Sequence, residues 1–228
     1  MEILNNGYTL RICEGGFPLS TDSMVLAHFA ALGKNCRVLD LGSGCGTLGL
    51  LLCAKDPLCH VTGVELDEHA HNAALQNIAR NGLSQRMDSI HGDLRGIKGL
   101  VGAGSFQVCV SNPPYFQGGP AAALKDARRE DCCSSADLFA AAAWALKFGG
   151  DLFLVHRPER LAQLCAEACA QGLEPKRLGL LRHKEGGPVA LILLHCRKGA
   201  KPGLIWEELC LHHTDGSPTD FYRCVYHL

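Results

Sequence analysis

From Arg37 onward the chain alternates short apolar runs with amphipathic stretches, and that alternation leaves very few folds open to it. Arg37–Leu41, Val61–Glu65, Ser89–His91, Phe106–Ser111 and Asp151–His156 read as strands, with Leu48–Ala54, Glu68–Asn81, Ser135–Lys147 and Pro158–Gln171 as helices between them. Repeated strand–helix–strand units require a largely parallel sheet covered by helices on both faces. Pro158 opens the last helix and Gly172 closes it. Two more strands, Arg177–Leu181 and Val189–Cys196, flank the turn-rich Lys184-Glu185-Gly186-Gly187-Pro188, so a hairpin adds an antiparallel edge. Ahead of the alternation, Thr21 or Asp22 is placed to cap a helix running to about Leu32 through the apolar positions Met24, Val25 and Ala27.

A chain of 228 residues suits one α/β domain, with 1–34 as an N-terminal extension and helix, 35–197 as the core and 198–228 as a C-terminal tail. Its 47% apolar and 20% charged residues, with no low-complexity tract, exclude a disordered or fibrous protein. A net charge of -1 gives no global attraction to a polyanion, so any nucleic-acid contact needs a local patch. Between Lys176 and Lys201 seven cations stand against the single acid Glu185, which is either such a docking face or a solvated surface. The thirteen cysteines include no C-x-x-C pair, and Cys165 with Cys169 is a pair on one helix face, so the expectation is reduced thiols and no metal. The start, Met1 to Asn6, lacks a basic segment leading into an apolar one, and no apolar stretch reaches the roughly 18 residues of a membrane helix. A cytoplasmic protein without membrane contact is expected.

The chemistry-bearing residues sit at the ends of the strands. Asp40-Leu41-Gly42-Ser43-Gly44-Cys45-Gly46 follows the first strand of the alternation and opens a helix, a turn whose amides can approach a ligand's carboxylate or phosphate. The spacing is G-x-G-x-G, with Thr47 three after Gly44, rather than the dinucleotide fingerprint, which argues against a nicotinamide or flavin enzyme. Glu65, nineteen residues beyond Gly46, ends the next strand where an acid can hold both hydroxyls of a ribose. Asp93, in His91-Gly92-Asp93-Leu94, is placed to accept from an adenine amine. Singly each acid is an ordinary strand-end or cap residue; at successive strand ends around one crevice they point to an adenosine-containing ligand.

Asn112-Pro113-Pro114-Tyr115, after the run Phe106–Ser111, supplies a clamp for a planar amine. The Asn112 side-chain carbonyl and the Pro113 backbone carbonyl each offer an acceptor to an exocyclic NH2, the two prolines stiffen the backbone, and Tyr115 stacks on the ring that carries the amine. Such a site suits methylation of an amine.

The order D-L-G-x-G-x-G, acid, G-D-L, N-P-P-Y resembles class I S-adenosylmethionine-dependent methyltransferases of the N6-adenine type. Phe17-Pro18-Leu19-Ser20-Thr21-Asp22-Ser23, Ala127-Arg128-Arg129-Glu130, His156-Arg157-Pro158-Glu159-Arg160 and Arg197 to Gly203 are similar to the bacterial valine-tRNA adenine N6-methyltransferases, with Arg129 where that family often has histidine. The resemblance implies a Rossmann-like, mostly parallel seven-stranded sheet and a single domain. It implies S-adenosyl-L-methionine held by Thr21, Asp22, Asp40, Gly42, Ser43, Gly44 and Gly46 on one side, and by Glu65, Leu66, Asp93, Leu94 and Asn112 on the other. Asn112, Pro113, Pro114 and Tyr115 then carry the reaction. An RNA substrate, most simply tRNA, would meet Arg128, Arg129, Lys198 and Lys201, with no protein partner required.

Three rivals share parts of the pattern. A methyltransferase of a release-factor glutamine uses the same clamp, but carries a helical substrate domain before the glycine turn, where this chain has only about forty residues. A guanine N2-methyltransferase of ribosomal RNA is the second. A non-catalytic RNA-binding protein retaining the fold is the third, and the complete turn and clamp count against it.

Overall fold

The computed structural model describes residues 2–4, 7–15, 18–113 and 133–226. In chain order it contains β1 (Glu2–Ile3), β2 (Thr9–Leu10), α1 (Thr21–Phe29), β3 (Arg37–Leu41), α2 (Thr47–Lys55), β4 (His60–Glu65), α3 (Glu68–Arg80), β5 (Met87–His91) and α4 (Ile97–Leu100). There follow β6 (Phe106–Ser111), α5 (Ser135–Ala145), β7 (Leu146–His156), α6 (Leu161–Ala170), β8 (Leu173–Lys184), β9 (Val189–Lys198), β10 (Ile205–His212) and α7 (Asp220–Tyr226). β1 and β2 form a small hairpin; the other strands make one sheet in the order β10-β8-β9-β7-β6-β3-β4-β5.

Among the described residues the large sheet has eight strands rather than the expected seven, and its reversed strand is interior rather than at an edge. β9 runs antiparallel to both β7 and β8 and lies between them. The physical reason is in its side chains: Leu191 and Leu193 join one core cluster while Ile192, Leu194 and Cys196 join the other, so β9 is buried on both faces. A strand with no polar face belongs inside a sheet. The added strand, β10, lies in the stretch read as a tail and pairs parallel to β8, with Ile205 opposite Arg177 and His212 opposite Lys184.

The same two-residue period separates the faces elsewhere. Val108 and Val110 of β6, and Phe153 and Val155 of β7, join the cluster beneath α1 and α2; Cys109, Leu152 and Leu154 join the one beneath α5. Burying these apolar side chains on both faces is the main force holding the layers together, at roughly 1.5–3 kcal/mol for each large one. The cap of α1 is Ser20, one residue before the expected pair, its Oγ accepting the Ser23 amide proton. That helix ends at Phe29, and α5 stops at Ala145 because Leu146 already pairs with Phe106 at the start of β7.

Strand order decides where a ligand goes. From β3 the chain adds β4 and β5 on one side, then returns to place β6 on the other side of β3. The crevice outside the carboxyl ends of β3 and β6 is therefore the switch point of this sheet.

Candidate active site

The glycine turn hangs on its neighbour strand. The amides of Gly42 and Ser43 both donate to the Val64 carbonyl, at 2.9 and 3.1 Å, and the Gly44 amide donates to Glu65 Oε2 at 2.7 Å. Gly46 caps α2 with φ +85, a left-handed conformation, and a Cβ there would lie 3.0 Å from Met87 Cε. Gly63, on β4, is needed for a different reason: its Cβ would fall 2.5 Å from Ser43 Oγ. Asn77 of α3, fully buried, donates to the Cys45 and Arg11 carbonyls and accepts the Arg11 amide, so it fixes both the turn and the N-terminal segment. Cys45 Sγ lies 3.5 Å from Cys13 Sγ, and burial pushes its pKa up to about 11, which keeps it an unreactive thiol.

Two buried polar groups at this turn lack hydrogen-bond partners among the described residues. Ser43 Oγ and both carboxylate oxygens of Asp40 make no hydrogen bond, although Asp40 is only 1% exposed. Burial, and then repulsion from Glu65, raise the Asp40 pKa to about 8; the Gly49 amide pulls the other way without reaching hydrogen-bond geometry. Orphaned buried groups are rare enough to need a reason, and a site for a cationic ligand is one.

Glu65 ends β4 with both oxygens engaged, Oε2 by Gly44 and Oε1 by the Asp67 amide at 2.8 Å. Leu66, next to it, is exposed, and its carbonyl meets His91 Nε2 at 2.9 Å. Asp93 follows β5 and caps the turn at Leu94, accepting the Arg95 amide and two side-chain nitrogens of Arg95. The Arg95 guanidinium holds the Asp93 carboxyl below the usual carboxylate range. Leu94 itself packs against the cluster under α5.

Across the switch point, Ser111 Oγ donates to the Leu41 carbonyl at 2.7 Å. Asp40 pairs with Val110, so two residues further on Asn112 comes level with Gly42. The Asn112 Nδ2 donates to Ser23 Oγ on α1 at 3.0 Å. Thr21 and Asp22 open that same helix, and Tyr226 Oη donates to Thr21 Oγ1 at 3.1 Å. The glycine turn, Glu65, Asn112 and the first turn of α1 thus gather around one crevice, with Pro113 immediately after Asn112. Pro114, Tyr115, Arg128 and Arg129 lie outside the described residues.

The basic run is largely engaged within the protein. Lys198 Nζ donates to the Ala143 and Leu146 carbonyls at the end of α5, Arg197 pairs with Asp151, and Arg177 pairs with Glu207. Lys176 donates to the Lys201 carbonyl, while the Lys201 side chain is exposed. Sequence reasoning missed Ser23 and Asn77, which are small polar residues in otherwise ordinary helical patterns. Among the described residues no cluster of three or more potential ligands could hold a metal, and no helix is long and apolar enough to cross a membrane.

The methyltransferase small domain family matches residues 20–167, which hold the glycine turn, Glu65, Asp93 and Asn112. The chain belongs to that family. A protein of Tolumonas auensis named tRNA1(Val) (adenine(37)-N6)-methyltransferase is 34% identical over 86% of this methyltransferase and 83% of its own length. One of a Shewanella strain, with the same name, is 32% identical over 66% of this chain and 65% of its own. The resemblance read from the motifs therefore holds across most of the sequence. Among solved structures, the predicted O-methyltransferase Atu636 of Agrobacterium tumefaciens superposes with a TM-score of 0.77 at 22% identity, covering 91% of this chain and 96% of that one. The fold is that of the class I methyltransferases, with the strand β9 inserted in reverse.

Proposed function

We propose that this methyltransferase works in the cytoplasm, moving a methyl group from S-adenosyl-L-methionine to the exocyclic N6 amine of an adenine in RNA, and that the RNA is a tRNA, as the names of its relatives suggest. The observation that carries the reading is the Asn112 amide, level with Gly42 across the β3–β6 boundary. It sets an amine clamp directly beside a ligand turn.

The residues present fit that cofactor. The unpartnered Asp40 carboxyl suits a ligand bearing positive charge, Ser43 Oγ offers a further polar contact, and Glu65 retains lone pairs for ribose hydroxyls beyond the amides it already accepts. When bound there, the cofactor supplies a methyl group activated on a sulfonium.

The protein's part is placement and electrostatics. The carbonyls of Asn112 and Pro113 accept hydrogen bonds from the amine, draw its lone pair out of conjugation with the ring, and stabilise the positive charge that grows on nitrogen. After transfer that nitrogen is acidic and passes its proton to water, so no general base is assigned. A base within a folded RNA must first leave its stack to reach the crevice.

The test is incubation with labelled S-adenosyl-L-methionine and, separately, total tRNA, ribosomal RNA, DNA and a release factor, followed by digestion. Label in N6-methyladenosine from tRNA is the expected outcome. Label in N5-methylglutamine or N2-methylguanosine would overturn the assignment, and no transfer to any of them would favour a binding protein that merely keeps the fold.

A further inference from the structure

We infer that Ser23 is a positioning residue for the amide clamp, which deepens the proposed function and rests on it. An asparagine amide is two-faced. With its oxygen toward an acceptor NH2 it can take a hydrogen bond, whereas turned by half a rotation it presents NH2 to NH2 and repels it. The clamp works only if something selects the first orientation, and the two ends of a side-chain amide are told apart by the hydrogen bonds that each can make.

Ser23 supplies that selection. Its Oγ lies 3.0 Å from Asn112 Nδ2, on a residue only 6% exposed. A serine hydroxyl can donate as well as accept, and Ser20 offers an acceptor to which its own proton can turn. Ser20 Oγ lies 3.5 Å from Ser23 Oγ and also accepts the Ser23 amide proton. With its hydroxyl hydrogen toward Ser20, Ser23 Oγ offers lone pairs to Asn112 Nδ2. The amide is planar, so fixing Nδ2 against α1 turns Oδ1 to the opposite side, away from α1. The cap of α1 and the clamp at the end of β6 are thereby one hydrogen-bonded unit, linking residues 89 apart in sequence.

The experiment uses Ser23→Ala in the full chain, a change that keeps Ser20 as the helix cap and places a good helix former in the first turn. Turnover with the RNA substrate is expected to fall about three- to tenfold, the loss of one hydrogen bond that orients a reacting group. The affinity for S-adenosyl-L-homocysteine, measured by calorimetry, and the RNA KM should move by less than about twofold, because Ser23 acts on the amide and not on either ligand. The Asn112 side-chain amide resonances should shift and exchange faster with solvent in Ser23→Ala, a signature independent of turnover. Unchanged resonances, or turnover within about twofold of the parent, would overturn the role of Ser23. If the parent methylates no adenine, the proposed function fails and the role of Ser23 in it fails as well; an active parent, an inactive Asn112→Ala and an unaffected Ser23→Ala would sink the Ser23 proposal alone.

Discussion

Glu65 reaches from the end of β4 to the glycine turn, its Oε2 accepting the Gly44 amide proton at 2.7 Å. The acid assigned to a ligand is therefore also a support of the turn that would hold that ligand. Glu65→Ala should weaken S-adenosyl-L-homocysteine binding by about 10- to 100-fold in calorimetry, and lower unfolding free energy by about 1–3 kcal/mol as two amides lose a charged acceptor. A variant that loses affinity at full stability would show that the Gly44 and Asp67 contacts contribute nothing to the fold.

Asn112→Ala should abolish methyl transfer while lowering cofactor affinity by less than about tenfold, since the amide, although it borders the cofactor, acts chiefly on the acceptor. Single-turnover assay with calorimetry separates the two. Lost cofactor affinity would mean that Asn112 belongs to the other side of the crevice.

Lys198 and Lys201 should part company. Lys198→Ala leaves the Ala143 and Leu146 carbonyls without their donor, so it should cost about 1–3 kcal/mol in chemical denaturation. Lys201→Glu, at an exposed position, should leave stability within about 0.5 kcal/mol. It should also make the dependence of tRNA affinity on salt shallower by about one unit of slope. An unchanged slope would return Lys201 to the solvated surface.

Stability should fall as pH rises from 6.5 to 8. Folded Asp40 keeps its proton to about 8 against an ordinary 3.8, so over that interval the unfolded chain holds fewer protons and rising pH favours it. His156 works the other way: burial, and then the nearby Arg160 charge, lower its pKa to about 4 from 6.5, so acid favours the unfolded chain between those values. The two slopes oppose one another below 6.5, and only that of Asp40 remains above it. Asp40→Asn should flatten the decline above pH 6.5, measured by urea denaturation across the range. A positively charged ligand beside Asp40 expels its proton, so the affinity of the parent for S-adenosyl-L-methionine should increase as pH approaches 8.

Much of the fold was legible because its signals are local. The glycine turn and the strand ends at Leu41, Glu65, His91 and Ser111 stand where the sequence placed them. β10 was not legible: Ile205 and Trp206 are exposed, Glu207 and Glu208 pair with arginines, and only Leu211 is buried, so the strand carries no pattern that separates it from a loop. The inner position of β9 was half legible. Its unbroken run from Val189 to Leu194 signals burial on both faces, but a hairpin alone does not say which of its strands meets β7. At the candidate site, Asp40, Glu65 and Asn112 were nominated by residue type and place, whereas Ser23 meets Asn112 across 89 positions, a relationship no window of sequence contains.

The bond from Tyr226 to Thr21 spans 205 positions. Contacts of such long range are late to form, because the loop they close is large. The glycine turn, whose ties to Val64, Glu65 and Asn77 are all much nearer in the chain, can be organised first, while this tie on the first turn of α1 waits for α7 to arrive. A nascent chain would then have its glycine turn in place well before the opening turn of α1 is tied down.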